Sequence, residues 1–182
     1  MKAVDAVIAA TLAHYQAGRL AAAEAGCQAV LEQAPDHAAI LQLLGLLLLQ
    51  RGQAAAASAV LERSVDARPA HLATRMLAGQ AARAAGDGAR ALAHFDLAVL
   101  AAPAQAAGHF HRGNVLFSLG RAQDAALAFR QATECDPASA DCHLNLGLVL
   151  LELDAREAAE AALERATSLA PGLEPAWFNL GV

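Results

Sequence analysis

The sequence predicts an all-α fold built from repeated antiparallel helix pairs, on the evidence of a fixed period and of composition. Five of the six prolines recur every 34 residues, at Pro35, Pro69, Pro103, Pro137 and Pro171. Three other ladders share this period: Gly45, Gly79, Gly113, Gly147 and Gly181; Ala23, Ala57, Ala91, Ala125 and Ala159; Gly18, Gly52, Gly86 and Gly120. Hydrophobic residues make up 57% of the chain but aromatic residues only 4%, because the excess is Ala and Leu, which favour helices. A period of about 20 to 50 residues indicates a stacked repeat array.

When each proline is placed near the end of a unit, the chain divides into five complete repeats and the start of a sixth. The repeats are 4–37, 38–71, 72–105, 106–139 and 140–173, and the partial sixth is 174–182. No linker or low-complexity stretch interrupts them, which predicts one domain over residues 1–182. The sequence ends soon after the sixth unit begins, and this predicts a piece of a longer protein.

Each unit reads as two helices, described here by positions 1 to 34 of the repeat. The first helix is expected over positions 2–15 and ends at the glycine of position 15, which can adopt positive φ. The second is expected over positions 18–31, because the proline at position 32 disfavours the α conformation of the residue before it. Glycine at position 8 and alanine at position 20 are small enough for the paired helices to approach closely.

These ladders resemble the tetratricopeptide repeat (TPR) family over residues 4–182. Matches to the family signature, Trp-x-x-Leu-Gly-x-x-Tyr…Gly…Ala…Phe…Ala…Pro, lie at Phe129, Ala132, Pro137, Leu146, Gly147, Leu150, Trp177, Leu180 and Gly181. The resemblance implies a right-handed superhelical solenoid of antiparallel helix pairs. It also implies that the first helix of each unit lines the concave face.

Some units depart from the family pattern. Thr11 stands where glycine is expected at position 8 of the first unit, as is common in terminal repeats, where one face meets water. Arg75, His109 and His143 occupy position 4, which holds Leu41 in the second unit. We therefore predict weaker apolar cores in units three and four, and a middle section that is the softest part of the array.

The concave groove is the predicted binding site. Positions 2, 5, 6, 9, 12 and 13 of the first helices are expected to face it, and they are mostly apolar with interspersed amides. Such a surface accepts an amphipathic helix or an extended apolar peptide, and asparagine offers both a donor and an acceptor to a peptide backbone. An alternative is that the array or a second copy covers this face. The predicted contacts are Leu43, Leu46, Met76, Gln80, Phe110, Asn114, Phe117, Asn145, Leu148 and Asn179.

The sequence carries no catalytic signature and predicts no enzyme activity, cofactor or metal. It has no phosphate-binding glycine loop, no His-Glu-x-x-His and no Gly-x-Ser-x-Gly. His109 and His143 share a repeat position, so a metal site there is an alternative to histidine replacing a half-buried aromatic residue. His37 and His71 are expected to be solvated in the turns between repeats. Cys27 takes position 24, a core position that is Leu or Phe in the other units.

The charge and the cysteine content indicate which partners and which cellular compartment are expected. The net charge is −5 and the 13 basic residues are scattered, so nucleic acid is not an expected partner. The apolar run 40–49 is far shorter than the roughly 20 residues of a membrane span, so no membrane is expected. Three cysteines, an odd and sparse number, suit a reducing compartment, and we predict a cytoplasmic location.

The predicted function is a non-catalytic protein-interaction scaffold that binds a protein or peptide, with two alternatives. The first is a substrate-recognition arm of a larger transferase, because Asn145-Leu146-Gly147 and Asn179-Leu180-Gly181 resemble the repeats of O-linked N-acetylglucosamine transferases. The second is a homo-oligomer formed through the unfinished C-terminal repeat, where Trp177 and Phe178 lack a second helix. A chaperone-binding subtype is disfavoured because the predicted groove contains no lysine.

Overall fold

The computed structural model describes residues 2–180, with side chains from residue 4 onward, and this range is helical apart from short turns. Gly181 of the glycine ladder and Val182 of the partial sixth unit lie outside the described residues. The eleven helices of this range are α1 Lys2–Gln16, α2 Leu20–Gln33, α3 Ala38–Gln50, α4 Ala54–Ala67, α5 Leu72–Ala84, α6 Gly88–Ala101, α7 Ala106–Ser118, α8 Ala122–Cys135, α9 Ala140–Glu152, α10 Arg156–Leu169 and α11 Glu174–Leu180. The all-α prediction is confirmed.

The helices follow the repeat with one or two residues of offset from the sequence prediction. In units two to five the first helix covers positions 1–13 and the second covers positions 17–30. The first helix ends early because the glycine of position 15 lies outside it, in the turn. In the second unit, Gly52 has φ +72°, and the amides of Gly52 and Gln53 bond to the carbonyls of Leu49 and Leu48 at 2.9 Å. This is the double hydrogen bond of a Schellman C-cap.

The chain divides into two compact units, Met1–Arg90 and Ala91–Val182, called here the N-terminal and the C-terminal unit. In the N-terminal unit, α1 pairs with α2 and α3 with α4, and α5 contacts both α3 and α4. In the C-terminal unit, α7 pairs with α8 and α9 with α10, and α11 contacts both α9 and α10. Each of these two compact units has its own hydrophobic core. The core lies around Leu47 and Leu61 in the N-terminal unit and around Leu116 and Phe129 in the C-terminal unit. The single domain and the exact repeat boundaries stay predictions.

The small residue at position 8 has the packing role that the sequence predicts. A Cβ atom on Gly113 would lie 2.8 Å from Cε1 of Phe129, and one on Gly147 would lie 2.6 Å from Cγ of Leu163. Cβ atoms essentially never approach so closely, so the large side chain of the second helix fills the space that glycine leaves. The close approach of the paired helices at this position is confirmed.

In the first repeat the sizes of the packed residues are exchanged, so the larger residue lies on α1 and the smaller one on α2. Thr11 is only 1% exposed, and its hydroxyl donates to the carbonyl of Val7 at 2.7 Å. Gly26 of α2 faces it, and a Cβ there would overlap the Thr11 side chain. The neighbouring core residue is the small Cys27. The explanation of Thr11 by water at a terminal face is therefore wrong, because a larger residue on α1 is matched by smaller ones on α2.

Candidate functional site

The predicted contact residues lie on first helices in both units. Leu43 and Leu46 on α3, with Met76 and Gln80 on α5, form what we call the N-terminal face. The C-terminal face is formed by Phe110, Asn114 and Phe117 on α7, Asn145 and Leu148 on α9, and Asn179 on α11. Within each unit the face is continuous, because α3 contacts α5 and α9 contacts both α7 and α11.

Nine of these ten side chains are half-buried, so they are held in place and still present surface. Leu43 is different, since it is 8% exposed and belongs to the core of the N-terminal unit. The equivalent position holds the half-buried Leu77, His111, Asn145 and Asn179 in the other units. Leu43 therefore offers a partner little surface, and its contribution is to the core.

Aromatic rings anchor the C-terminal face to the core beneath it. The ring of Phe110 meets that of Phe129 edge-on, with centroids 5.9 Å apart, and the ring of His111 stacks on Phe95 at 5.3 Å. Phe117 packs on the same core as Phe110, and Leu148 packs on a neighbouring cluster that includes Leu163. A partner would meet the exposed parts of side chains whose positions the core fixes.

Two asparagines of the C-terminal face have their amide groups oriented by their own helices. Nδ2 of Asn145 donates to the carbonyl of Asp141 at 2.8 Å, and Nδ2 of Asn179 donates to the carbonyl of Pro175 at 2.7 Å. Since a carbonyl only accepts, the nitrogen of each amide must face the helix. Each Nδ2 has a second N–H, so each amide keeps one donor as well as its oxygen for a partner, and the expected donor-and-acceptor role stays a prediction.

The charges on the first helices of the C-terminal unit are mainly negative. Asp141, Glu152 and Glu174 are exposed carboxylates, whereas Arg112 is the one Arg or Lys residue in α7, α9 and α11. Nε of Arg112 donates to Oδ1 of Asp96 at 2.6 Å, so its charge is already paired. The C-terminal face therefore carries carboxylates without an unpaired lysine or arginine.

A small open pocket lies at one end of the C-terminal face, between the starts of α7 and α9. It measures about 200 Å³ and is lined by Ala106, Ala107, Phe110, Asp136, Ser139, Asp141 and Cys142. Small-molecule sites usually measure about 300–1,000 Å³, so this pocket suits one amino-acid side chain better than a cofactor. Its lining combines an aromatic ring with two carboxylates.

Sequence reasoning missed the role of position 4. There the side chain donates a hydrogen bond to the carbonyl of the proline six residues earlier. The donor pairs and distances are Arg75 Nη2 to Pro69 at 2.6 Å, His109 Nε2 to Pro103 at 2.8 Å, His143 Nε2 to Pro137 at 3.2 Å and Trp177 Nε1 to Pro171 at 2.9 Å. The shared feature of Arg, His and Trp is a side-chain N–H, and this signal, six residues after each proline, is visible in the sequence.

The same hydrogen bonds bear on the alternative that His109 and His143 bind a metal ion. Nε2 of His109 and Nε2 of His143 are each occupied by a proline carbonyl. In residues 2–180 no group of three or more His, Cys, Asp or Glu side chains is placed to hold a metal ion. Both histidines thus have a structural function in linking a proline turn to the helix that follows.

His37 and His71 were expected to be solvated, and this is wrong. Both are half-buried N-cap residues whose Nδ1 accepts from a backbone amide of the following helix, Ile40 at 3.4 Å and Thr74 at 3.3 Å. Ser139 caps α9 at the same repeat position through its hydroxyl. The side chain supplies an acceptor for one of the helix amides that lack a partner in the first turn.

Family models of the repeat match successive stretches of the chain. Models of the tetratricopeptide repeat match residues 14–69, 43–108 and 140–172, and a TPR repeat model matches 113–154. No curated protein matches the chain. In the part of the chain that the structure describes, no helix combines the length and apolar character needed to cross a membrane.

Solved structures with the same fold differ greatly from the chain in sequence. MamA from Desulfovibrio magneticus is 18% identical with a TM-score of 0.87, over 94% of this chain and 97% of that chain. YrrB, described as a TPR protein with an unusual peptide-binding site, is 21% identical with a TM-score of 0.86, over 97% and 91%. A repeat protein from Parabacteroides merdae is 15% identical with a TM-score of 0.87, over 99% and 72%. The narrower resemblance to a transferase arm stays a prediction. The repeat matches and the shared solenoid fold show that the chain belongs to the tetratricopeptide repeat family.

Proposed function

We propose that the protein is a non-catalytic interaction scaffold that binds a peptide or helix of a partner protein on its first-helix faces. One observation carries the proposal: the C-terminal face is a row of half-buried apolar and amide side chains on three contacting helices. Half-buried apolar residues held by a core are the usual material of a peptide groove, because their burial on binding adds apolar area without a large ordering cost.

The fold supports the same proposal. YrrB, which shares this fold over 97% of the chain, is described as having a peptide-binding site. A peptide in an extended or helical conformation could contact Phe117 and Leu148 through apolar side chains. Its backbone could donate to the Oδ1 atoms of Asn145 and Asn179, which the helix leaves available.

A displayed library of random 12-residue peptides tests the proposal directly. Peptides selected on the protein are measured by calorimetry against two charged variants, Leu148→Glu on the C-terminal face and Leu100→Glu on α6. Leu100 is a matched control because it is 78% exposed and lies on a second helix. We expect Leu148→Glu to weaken binding at least tenfold and Leu100→Glu to leave it unchanged. Equal affinity in all three folded proteins would show that the C-terminal face is not the site.

A second candidate function is self-association through α11, and the exposure of this helix favours it. Phe178 is 83% exposed and Trp177 is 37% exposed, which is unusual for large aromatic side chains that neighbour each other. Light scattering across a concentration series, with Phe178→Glu as the comparison, tests it. We expect dimers or larger species that the substitution dissociates. A monomer at every concentration would exclude this function.

A further inference from the structure

The electrostatics of the C-terminal face indicate what kind of peptide it can take. The exposed charged groups on its helices are Asp141, Glu152 and Glu174, and Arg112 is paired with Asp96. Arg156 and Glu160 of α10 line a pocket with Asn179, and Arg156 is paired with Asp154. Carboxylates at the edges of an apolar surface attract basic partners and reject acidic ones, since like charges brought together cost several kcal/mol. The surface therefore discriminates by charge as well as by apolar contact.

The amides of the face add acceptor oxygens to those of the carboxylates. Asn145 and Asn179 each use one N–H of Nδ2 for a carbonyl of their own helix, which leaves Oδ1 and the second N–H for a partner. Carboxylate and amide oxygens are both acceptors. A partner that is rich in donors, such as the side chains of Arg and Lys, satisfies them, whereas Asp and Glu side chains do not.

The pocket between α7 and α9 has the shape and chemistry for one such side chain. Phe110 with Ala106 and Ala107 supplies an apolar wall, and Asp136 and Asp141 supply carboxylates. Arg and Lys side chains bury an aliphatic stem while keeping the charged end near water or a counter-ion. A cation beside the ring of Phe110 gains a further attraction from the π face.

The capping of α9 leaves Asp141 available for this role. Ser139 accepts the hydrogen bond from the amide of Cys142, so the hydroxyl and not a carboxylate caps the helix. Asp136 accepts from the amide of Ala138 through Oδ1 at 3.1 Å. Asp141 is exposed, and its side chain makes no hydrogen bond or ion pair within the described residues.

We infer that the C-terminal face selects peptides that combine apolar residues with Arg or Lys, and that one basic side chain lies in the pocket of Phe110, Asp136 and Asp141. The inference rests on the proposed function, because it specifies the partner of the same surface. The partner is an apolar and basic peptide segment. Acidic peptides are excluded by the same charges.

The selection described above also tests this inference, through the composition of the peptides recovered. We expect enrichment of Arg and Lys and depletion of Asp and Glu relative to the starting library. A recovered peptide is then synthesised in two forms, with its basic residue or with norleucine at that position, and measured at low and high salt. The basic form should bind at least tenfold more tightly at low salt, and the difference should shrink at high salt.

Charge variants locate the basic side chain. Asp136→Asn with Asp141→Asn should remove most of the advantage of the basic peptide and leave the affinity of the norleucine peptide unchanged. Glu164→Gln on the exposed face of α10 is the matched control and should change neither. Since a first-turn carboxylate also stabilises a helix, thermal unfolding of each variant establishes that the comparison is made between folded proteins.

The outcomes separate the inference from the proposed function. If selected peptides depend on Leu148 but show no basic enrichment, the inference is overturned and the proposed function stands. If basic peptides bind but the double variant retains their full advantage, the pocket is not where the cation lies and the inference is overturned. If Leu148→Glu leaves the binding of every selected peptide unchanged, the C-terminal face is not the binding site, so the proposed function fails at that face and the inference fails with it.

Discussion

Asp154 is the one non-glycine residue with positive φ, +55°, in the part of the chain that the structure describes. It occupies position 15 of the fifth unit, where Gly18, Gly52, Gly86 and Gly120 stand in the others with φ between +70° and +83°. A residue with a Cβ pays a steric cost in this region, and the cost is reduced but not removed for Asp. The turn is therefore strained in a way that the other four are not.

Replacing Asp154 with glycine is expected to stabilise the protein by about 0.5–1 kcal/mol, because the left-handed conformation then carries no steric cost. The ion pair with Arg156 is lost, but both side chains are more than four-fifths exposed and such pairs contribute little. Urea unfolding measures the change. Gly120→Ala at the same position of the preceding repeat should destabilise the protein by at least this much, since alanine lacks the reduced cost of Asp. A loss of stability in Asp154→Gly would contradict the strain at Asp154.

Cys27 is a buried thiol beside a carboxylate. Burial, followed by the negative charge of Glu24, raises the pKa of Cys27 to about 11, and burial likewise raises the pKa of Cys142. Because the thiolate is the reactive form, both thiols should resist alkylation in the folded protein at pH 8, while the half-buried Cys135 is modified first. Mass spectrometry of peptides after timed iodoacetamide treatment measures this order, and rapid modification of Cys27 would contradict the burial.

The same pKa predicts how stability depends on pH. The unfolded thiol ionises near pH 9, whereas the folded Cys27 stays protonated up to about pH 11. Its contribution is therefore complete below pH 9 and is lost as the pH rises towards 11. A Cys27→Ala variant provides the comparison, since its stability should fall less over this interval.

At the scale of helix pairs, the contact between positions 8 and 24 decides how closely the two helices pack. Gly147→Ala places a Cβ only 2.6 Å from Leu163 Cγ and should destabilise the protein by about 1–3 kcal/mol. The first unit indicates the remedy, because Thr11 there is accommodated by the smaller Gly26 and Cys27. We expect Gly147→Ala to cost less in a Leu163→Val background than in the native one.

A double-mutant cycle measured by urea unfolding gives the coupling directly. A matched control is Gly147→Ala combined with Leu127→Val, because Leu127 is an exposed leucine on α8. Additive effects in both pairs would show that the close approach at Gly147 does not limit the packing of α9 on α10.

At the scale of the whole molecule, the sequence predicts the helices better than it predicts individual side chains. The 34-residue period places every helix of units two to five within two residues, because proline and glycine act locally on the backbone. The role of His109 was missed although its spacing from Pro103 is visible in the sequence, since the spacing acquires a meaning only when the folded turn brings the ring and the carbonyl together. The burial of Leu43 likewise depends on how neighbouring helices pack.

Two first helices of the N-terminal unit, α3 and α5, differ in what they bury, and this bears on the predicted softness of the middle repeats. α3 buries large side chains such as Ile40 and Leu47, whereas the buried residues of α5 are small: Thr74, Ala78, Gly79, Ala81 and Ala82. Both helices contain 13 residues, so backbone hydrogen bonding is matched and the difference is in apolar area. Because stability in a repeat array is a sum of local and nearest-neighbour contributions, α5 should open more readily than α3.

Hydrogen exchange followed by mass spectrometry tests this prediction within one unit. The buried residues of α3 include six large aliphatic side chains and those of α5 include none. We expect the amides of α5 to exchange at least tenfold faster than those of α3, because the loss of even one such buried side chain lowers the free energy of local opening by more than about 1.4 kcal/mol. Ala85→Gln, an exposed and uncharged change just beyond α5, should leave the ratio unchanged. Equal exchange of the two helices would mean that the N-terminal unit opens as one cooperative body, and the softness predicted for the third repeat would then be wrong.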